Sequence, residues 1–435
     1  MRGGRWMALT DRNALHGPSR ISRLALPIAC IAVLLSAHAV FAQTPAAEEK
    51  FPFRQRPVDY FSDEHSDPLA EFSRKLESGE IKLQASDGPM VYLISLLKEL
   101  KIPVESQLLT FSAIARNSQL QSPGQPRAIY FNDEVQVGYI PGSPELELMA
   151  CDPVKGAIFY KLRQLPDAPP RLEREDDCVQ CHASVEHSEA VPGLLLRSMI
   201  DLDNGTQKMA SLTLQTPLRE RWGMWYVTGK LAQDPHRGNR PRGGLGDRDQ
   251  PVEAWYRSYA DLRAQIGHDR YPSFKSDVVA QLVFAHQVPV QNLMIRIAYE
   301  HAFRSPRSSE DRLVKAMLFC GEAPLTGPVE GSNEFARLFM EQGKKDPKQR
   351  SLRDLELNGR TFRYRMSYLI DSTQFAQLPR VARERIWRRF ELVLSGRDES
   401  PDYAHLDAAE RSAIREILLA THPELPASWG LPVGD

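Results

Sequence analysis

Five consecutive residues, Cys178, Val179, Gln180, Cys181 and His182, restrict what this chain can fold into more than any other feature. Two thiols separated by two residues sit on one turn of chain and can reach adjacent vinyl groups on a porphyrin edge. The histidine that follows aims a ring nitrogen at the iron. A fold that uses the residues in this way must leave a porphyrin-sized cavity beside that turn. Multiplying the chain's own frequencies of Cys and His gives a chance expectation on the order of 0.001 for the pattern. The expectation is therefore one covalent haem c, held by Cys178 and Cys181 and ligated on its proximal side by His182. No second copy of the pattern occurs.

Three other uses of the same residues make different demands. Structural zinc needs a second ligand pair, which only His187, Cys151 and Cys320 are placed to supply. A thioredoxin-like dithiol requires a βαβ pattern around it, and the flanks do not read that way. A plain Cys178–Cys181 disulfide leaves His182 without a role.

The amino terminus sets the redox compartment. Arg20 and Arg23 precede an apolar run over residues 24–41, and Val40-Phe41-Ala42 offers small residues where a signal peptidase reads. Cleavage after Ala42 is expected, giving a periplasmic protein. Pro27, Ser36 and His38 weaken the alternative of an uncleaved anchor, and Cys30 lacks a lipoprotein context. No second apolar stretch reads as a span, so none is expected after cleavage. Four cysteines then remain, and an oxidising compartment permits Cys151 and Cys320 to pair.

Composition narrows the class. With 42% hydrophobic and 26% charged residues, the chain suits a globular fold rather than a disordered or fibrous one. Five of the 55 basic residues but one of the 56 acidic ones lie in residues 1–42, so the remainder is net acidic by about five, and no nucleic-acid partner is expected. Periplasmic redox proteins are the expected partners.

The predicted architecture is α+β, an antiparallel β-rich haem-binding centre flanked by helical amino- and carboxy-terminal regions. A signal peptide over 1–42 is followed by a helical lead-in over 43–125, with helices at 67–78 and 89–100. The central region, 126–251, holds short β-type runs at 128–131, 135–140, 146–151 and 157–162, separated by turn residues. Leu194 to Ile200, Met209 to Leu214 and Trp225 to Thr228 are candidates to extend that sheet. Residues 235–251, rich in Gly and Arg, form a loop. The rest, 252–435, reads as mostly helical: 277–300 with Pro289 inside, then 333–341, 379–394 and 407–420, the last with Asp407 as N-cap and Glu410 three positions on.

The iron's other side has two leading candidates. His286 lies on an apolar helix face, where a buried imidazole must find a partner; the alternative is a core histidine bonded within the protein. His236 lies in the Gly- and Arg-rich loop, where a segment can fold over the macrocycle; the alternative is a solvated loop residue. Met199, Met209, Met224 and Met294 are the thioether candidates, His301 is a weaker one, and His187 is too near His182 to cross the porphyrin plane. Arg197, Arg219, Arg221 and Arg237 have the fork suited to haem propionates. Trp222, Trp225 and Tyr226 offer an aromatic surface.

Several stretches together resemble a family of exported single-haem cytochrome c-like proteins. These are Ile129 to Asp133, Cys178 to Ser184, Val191 to Ser198, Glu220 to Gly229 and His286-Gln287, with further likeness at Tyr364 to Ile370 and Tyr403 to Leu406. The likeness runs from about residue 125 to the end. It implies covalent haem and an exported location, and brings no particular reaction with it. The chain departs from the pattern at Arg237, where an aliphatic residue or Met is expected after His236. Three functions are consistent with these features: electron transfer through a six-coordinate haem, a haem-dependent oxidoreductase or peroxidase-like enzyme with an open distal site, and a haem-based redox or gas sensor.

Overall fold

Residues of alternating burial build the centre of the molecule. In the computed structural model, which describes residues 51–111, 116–166, 168–201, 207–213, 215–231, 236–239, 259–423, 425 and 429, six strands pair antiparallel in sequence order. They are β1 (Leu108–Thr110), β2 (Arg127–Phe131), β3 (Val135–Tyr139), β4 (Glu145–Asp152), β5 (Gly156–Arg163) and β6 (Leu172–Arg174). Tyr130 pairs with Val137, Val137 with Leu148 and Leu148 with Tyr160, and this row is buried. Because side chains alternate across a strand, the neighbouring rows Ile129–Gly138–Glu147 and Gln136–Met149–Phe159 face the other way. One face of the sheet is thus sealed and the other is left to carry a cavity.

The turns have a chemical cause. Asn132 Oδ1 accepts from the backbone N–H of Glu134 and Val135 at 3.0 and 2.8 Å, which closes the β2–β3 turn. Asp152 Oδ1 does the same for Val154 and Lys155, both at 2.8 Å, and Gly156 follows at φ 79°.

Helices α1 (Pro68–Glu77) and α2 (Leu93–Glu99) precede the sheet, and α3 (Val179–His182) carries the Cys-x-x-Cys-His turn just after it. Strands β7 (Arg197–Asp201) and β8 (Gln207–Ser211) pair only with each other, so they form a separate hairpin and do not extend the central sheet. Trp225 joins β1 through a single bridge to Thr110. The sequence also hid two edge strands: β1 comes from the segment read as a helical lead-in, and β6 from a Pro-rich approach.

The remaining elements are β9 (Lys230–Leu231), α4 (Arg263–Ile266), α5 (Val278–Ala302), α6 (Ser309–Met317), β10 (Val329–Glu330), α7 (Asn333–Glu341), α8 (Thr373–Ala376), α9 (Arg380–Leu394) and α10 (Ala408–Thr421). Asp277 caps α5 by accepting from Val279 and Ala280 N–H. The helix is apolar on all sides, as a helix enclosed by protein must be. Its most apolar window has a mean hydropathy of 1.3, enough by length and composition for a membrane span that the sequence reading did not expect, yet 94% of that window is buried inside the protein. Its polar side chains fasten other segments: Gln287 and Gln291 donate to the backbone carbonyls of Asn132 and Asp133, each at 2.8 Å.

The fold is α+β, with the sheet-rich part in the centre and helices dominating the carboxy-terminal half. The expected signal peptide, and most of the Gly- and Arg-rich loop, lie outside the described residues.

Candidate functional site

Chain direction changes sharply after β6. Glu175 N–H donates to Phe159 O at 2.8 Å, the last link of the ladder, and a 3₁₀ turn over Asp176–Cys178 leads into α3. Val179 is buried and anchors this turn. Cys178, Cys181 and His182 stand at i, i+3 and i+4, positions that share one face of a helical turn. All three line a single cavity of about 570 Å³.

The walls come from distant parts of the sequence. The less buried face of the sheet supplies Ile129, Met149 and Phe159, the hairpin β7–β8 supplies Arg197 and Met209, and a strap over Gly223 to Trp225 closes the side. The strap is held from both flanks. Phe111 N–H and the Thr110 hydroxyl donate to Met224 O, both at 3.0 Å, and Tyr226 N–H donates to Leu109 O at 2.8 Å. On the hairpin side Gly223 N–H donates to Ser198 Oγ and Trp225 Nε1–H to Arg197 O, each at 2.8 Å. Trp222 and Met224 adopt left-handed φ values of 67° and 74°, a strained backbone that persists only where its surroundings over-determine it.

His182 is set up as a ligand. Its Nδ1 lies 2.9 Å from Gly193 O; a carbonyl only accepts, so the proton is on Nδ1 and Nε2 keeps its lone pair. Burial pulls the imidazole down to about 4, with the charges of Arg197 and Arg127 adding to the effect and the Gly193 bond opposing it. The ring is therefore neutral at pH 7, the form that binds a metal. It stands edge-on to Phe159, with centroids 4.6 Å apart. Cys178 is half-buried, which pushes its thiol up to about 11, and Cys181 is exposed. Cys151 and Cys320 are free thiols too, so the disulfide the compartment would permit is not formed.

Neither leading distal histidine lines this cavity. His286, a candidate because of its apolar helix face, is enclosed in the core: its Nε2 is 2.6 Å from Ser367 Oγ and its ring stacks on Phe319 at 4.3 Å. One of its ring nitrogens is satisfied within the protein, while Nδ1 is buried with no hydrogen-bond partner among the described residues. His236 is buried against Trp222, with centroids 5.4 Å apart, and its Nδ1 accepts from Gly238 N–H. Trp222 is not among the residues that line the cavity, whereas its neighbours Gly223, Met224 and Trp225 are. His187 bonds to Ser211 Oγ, and His301 joins Glu310 and Arg385.

Thioether candidates divide cleanly. Met209 and Met224 line the cavity, Met294 is buried in α5, and Met199 is not among the lining residues. Of the four arginine candidates only Arg197 lines it, and among the described residues Arg197 has no carboxylate partner. Arg219 pairs with Glu220, and Arg221 donates to Thr216 O. Sequence reasoning missed Arg116 and Arg127, which line the cavity but are tied to Glu175 and Glu147. It also missed Met149 and Phe159, which sit opposite each other in the β4–β5 ladder; both lie in apolar stretches where no alternation in the sequence marks the face.

The arrangement defines a class in structural terms: an α+β protein whose sheet, hairpin and strap enclose a cavity beside a Cys-x-x-Cys-His turn. Among the described residues no three His, Cys, Asp or Glu side chains group as a metal site made by protein alone. The residues that do converge are two thiols, a neutral imidazole with a free nitrogen, thioethers, aromatic rings and three arginines beside Glu147 and Asp177, with Arg197 alone among the three lacking a described carboxylate partner; that donor set fits a porphyrin with carboxylates. Comparison with protein families, with curated proteins and with solved structures gives no match.

Proposed function

We propose that this chain is an exported redox protein that carries one haem c in the cavity and passes electrons to and from periplasmic partner proteins. The observation that carries the reading is the convergence of Cys178, Cys181 and His182 on one apolar cavity, with His182 Nδ1 already engaged.

The chain's residues have distinct tasks in this reading. Cys178 and Cys181 would hold the group covalently, each thiol adding its sulfur and its hydrogen across one vinyl group. When bound, the haem supplies one-electron chemistry at iron. His182 Nε2 would offer its lone pair to the iron, while Gly193 O holds the proton on Nδ1. Met209 or Met224 would offer a thioether from the cavity wall, and Arg197 would balance a propionate, for which its planar fork is suited. Phe159 and Ile129 would keep water from the group.

Arg197 also supports a second reading. A half-buried cation without a described carboxylate partner is what a small anionic substrate would meet beside an open iron, as in a haem-dependent oxidoreductase.

The test is a pyridine haemochrome and a visible spectrum on protein exported from a strain able to attach haem c, beside a Cys178→Ala/Cys181→Ala control. One c-type haem per chain, lost in the control, is expected, with a low-spin spectrum. High-spin haem would move the assignment to the open-site reading. Wild type without haem would overturn both.

A further inference from the structure

A buried asparagine in an apolar helix must account for its amide, because an unpaired one costs about 1–3 kcal/mol. Asn292, in the middle of α5, spends both of its polar atoms on one residue. Its Nδ2 donates to Leu194 O at 2.9 Å and its Oδ1 accepts from Leu194 N–H at 2.8 Å. The side chain thus stands in for the strand that Leu194 lacks.

The residue before Leu194 is Gly193, whose carbonyl accepts from His182 Nδ1–H and whose N–H donates to His182 O, each at 2.9 Å. Gly193 must be glycine here for lack of space: a Cβ would lie 2.5 Å from Asn292 Oδ1 and 3.2 Å from Ser188 Cβ. One residue further back, Pro192 O accepts from Ala157 N–H at 2.9 Å, at the start of β5. One helical turn beyond Asn292, Arg296 donates to Glu189 O at 2.9 Å. The segment 189–194 is therefore fixed at three successive points, and the peptide next to His182 is fixed by Asn292. Asn292 does not itself line the cavity.

We infer that Asn292 is a positioning residue for His182: by clamping Leu194 it aims the Gly193 carbonyl that sets the tautomer and ring plane of the proximal imidazole. The inference rests on the haem reading. Outer partners of this kind raise the basicity of a ligating histidine, and removing them typically costs 10- to 100-fold in metal affinity.

The test uses the haem-loaded full chain in three variants. Asn292→Ala removes both bonds. Asn292→Asp keeps the acceptor for Leu194 N–H and loses the donor. Val290→Ala removes apolar volume two positions back, on another side of the same helix. Two quantities are measured: exchange of the His182 Nδ1 proton by NMR, and the midpoint potential. Asn292→Ala is expected to exchange roughly tenfold faster or more, and to titrate at a higher potential because a less basic imidazole stabilises ferric iron less. Asn292→Asp, which also covers the case of an unfolded alanine variant, falls between. Val290→Ala loses thermal stability and changes neither quantity. Loaded Asn292 variants with wild-type exchange and potential overturn this inference alone, whereas an unloaded wild type overturns the haem reading and this one with it.

Discussion

Gly223→Ala tests the strap that closes the cavity. At this position a Cβ would run into the carbonyl oxygen of Met199 and lie 2.9 Å from both its carbon and its nitrogen. These are backbone atoms of β7, so no rotamer change relieves the clash, and the strap must retreat by about 1 Å. The Met199 N–H to Gly223 O bond, now 3.2 Å, then exceeds any useful length, and the Gly223 N–H bond to Ser198 Oγ, now 2.8 Å, is strained or lost. Each bond contributes about 1 kcal/mol net, and a buried group left unpaired costs about 1–3 kcal/mol, so the variant should lose about 2–4 kcal/mol. Gly142→Ala is the comparison: its φ is 77° with nothing near the new methyl, so only backbone strain of about 1–2 kcal/mol applies. Urea unfolding of the two variants measures the difference. A Gly223→Ala protein within about 0.5 kcal/mol of wild type would refute the packing argument, since surface-like tolerance is incompatible with a backbone clash.

Three further outcomes are expected. Burial holds His286 down to about 3, whereas an unfolded histidine binds its proton near pH 6.5, so stability is complete above about pH 6.5 and falls as the pH drops towards 3, by up to about 1.4 kcal/mol per pH unit. His286→Leu should remove about one proton from the pH slope of stability between about pH 6 and 4; an unchanged slope in pH-dependent unfolding would remove the assignment of a buried neutral imidazole. Of Met209→Leu and Met224→Leu, one should abolish the weak long-wavelength band of thioether-ligated ferric haem and lower the potential. If both variants keep band and potential, the sixth ligand is not among the methionines of this cavity. Asp407→Ala removes the acceptor of Glu410 N–H, 2.8 Å away, and should cost about 1 kcal/mol by thermal unfolding; no loss would mean the cap contributes nothing.

Periodicity made the long elements legible in the sequence. The reading of 333–341 coincides with α7, and Asp407 caps α10 as expected; Asp277, read as the first residue of its helix, is instead the N-cap of α5. Four of the six strands of the sheet are visible because each carries a β-type run of at least four residues between turn signals. Strands β1 and β6, three residues each, carry too little pattern to register, and their identity comes from the neighbours they pair with. Glu410, three positions after the cap Asp407, donates its N–H to that cap, but its side chain does not turn back to it. Its carboxylate instead takes Arg360 at 2.8 Å and Arg365 at 3.0 Å, because charged partners from a distant loop outcompete a local backbone N–H. The turn bearing Cys178, Cys181 and His182 was legible in full, since i, i+3 and i+4 spacing is a property of sequence. The strap was not, since its course depends on hydrogen bonds to β1 and β7 that no local rule encodes.

His286 and Asn292 show how a polar residue on an apolar helix should be weighed. Both lie on α5, both are fully enclosed, and from sequence only the histidine attracts notice because imidazole is a familiar iron ligand. Burial alone does not distinguish a ligand from a fastener, since both must satisfy their polar atoms. What distinguishes them is where the partner lies. His286 reaches Ser367 within a nest of aromatic rings, whereas Asn292 reaches the backbone one residue from the carbonyl that orients His182. Gln287, Gln291 and Arg296 on the same helix likewise spend their donors on carbonyls of the β2–β3 turn and of residue 189. A helix that reads as apolar with scattered polar residues is thus a mast to which loops are tied. Its importance to the cavity lies in holding the loop that follows Cys178, Cys181 and His182, which is why one short turn depends on Asn292, 110 residues beyond His182 in the chain.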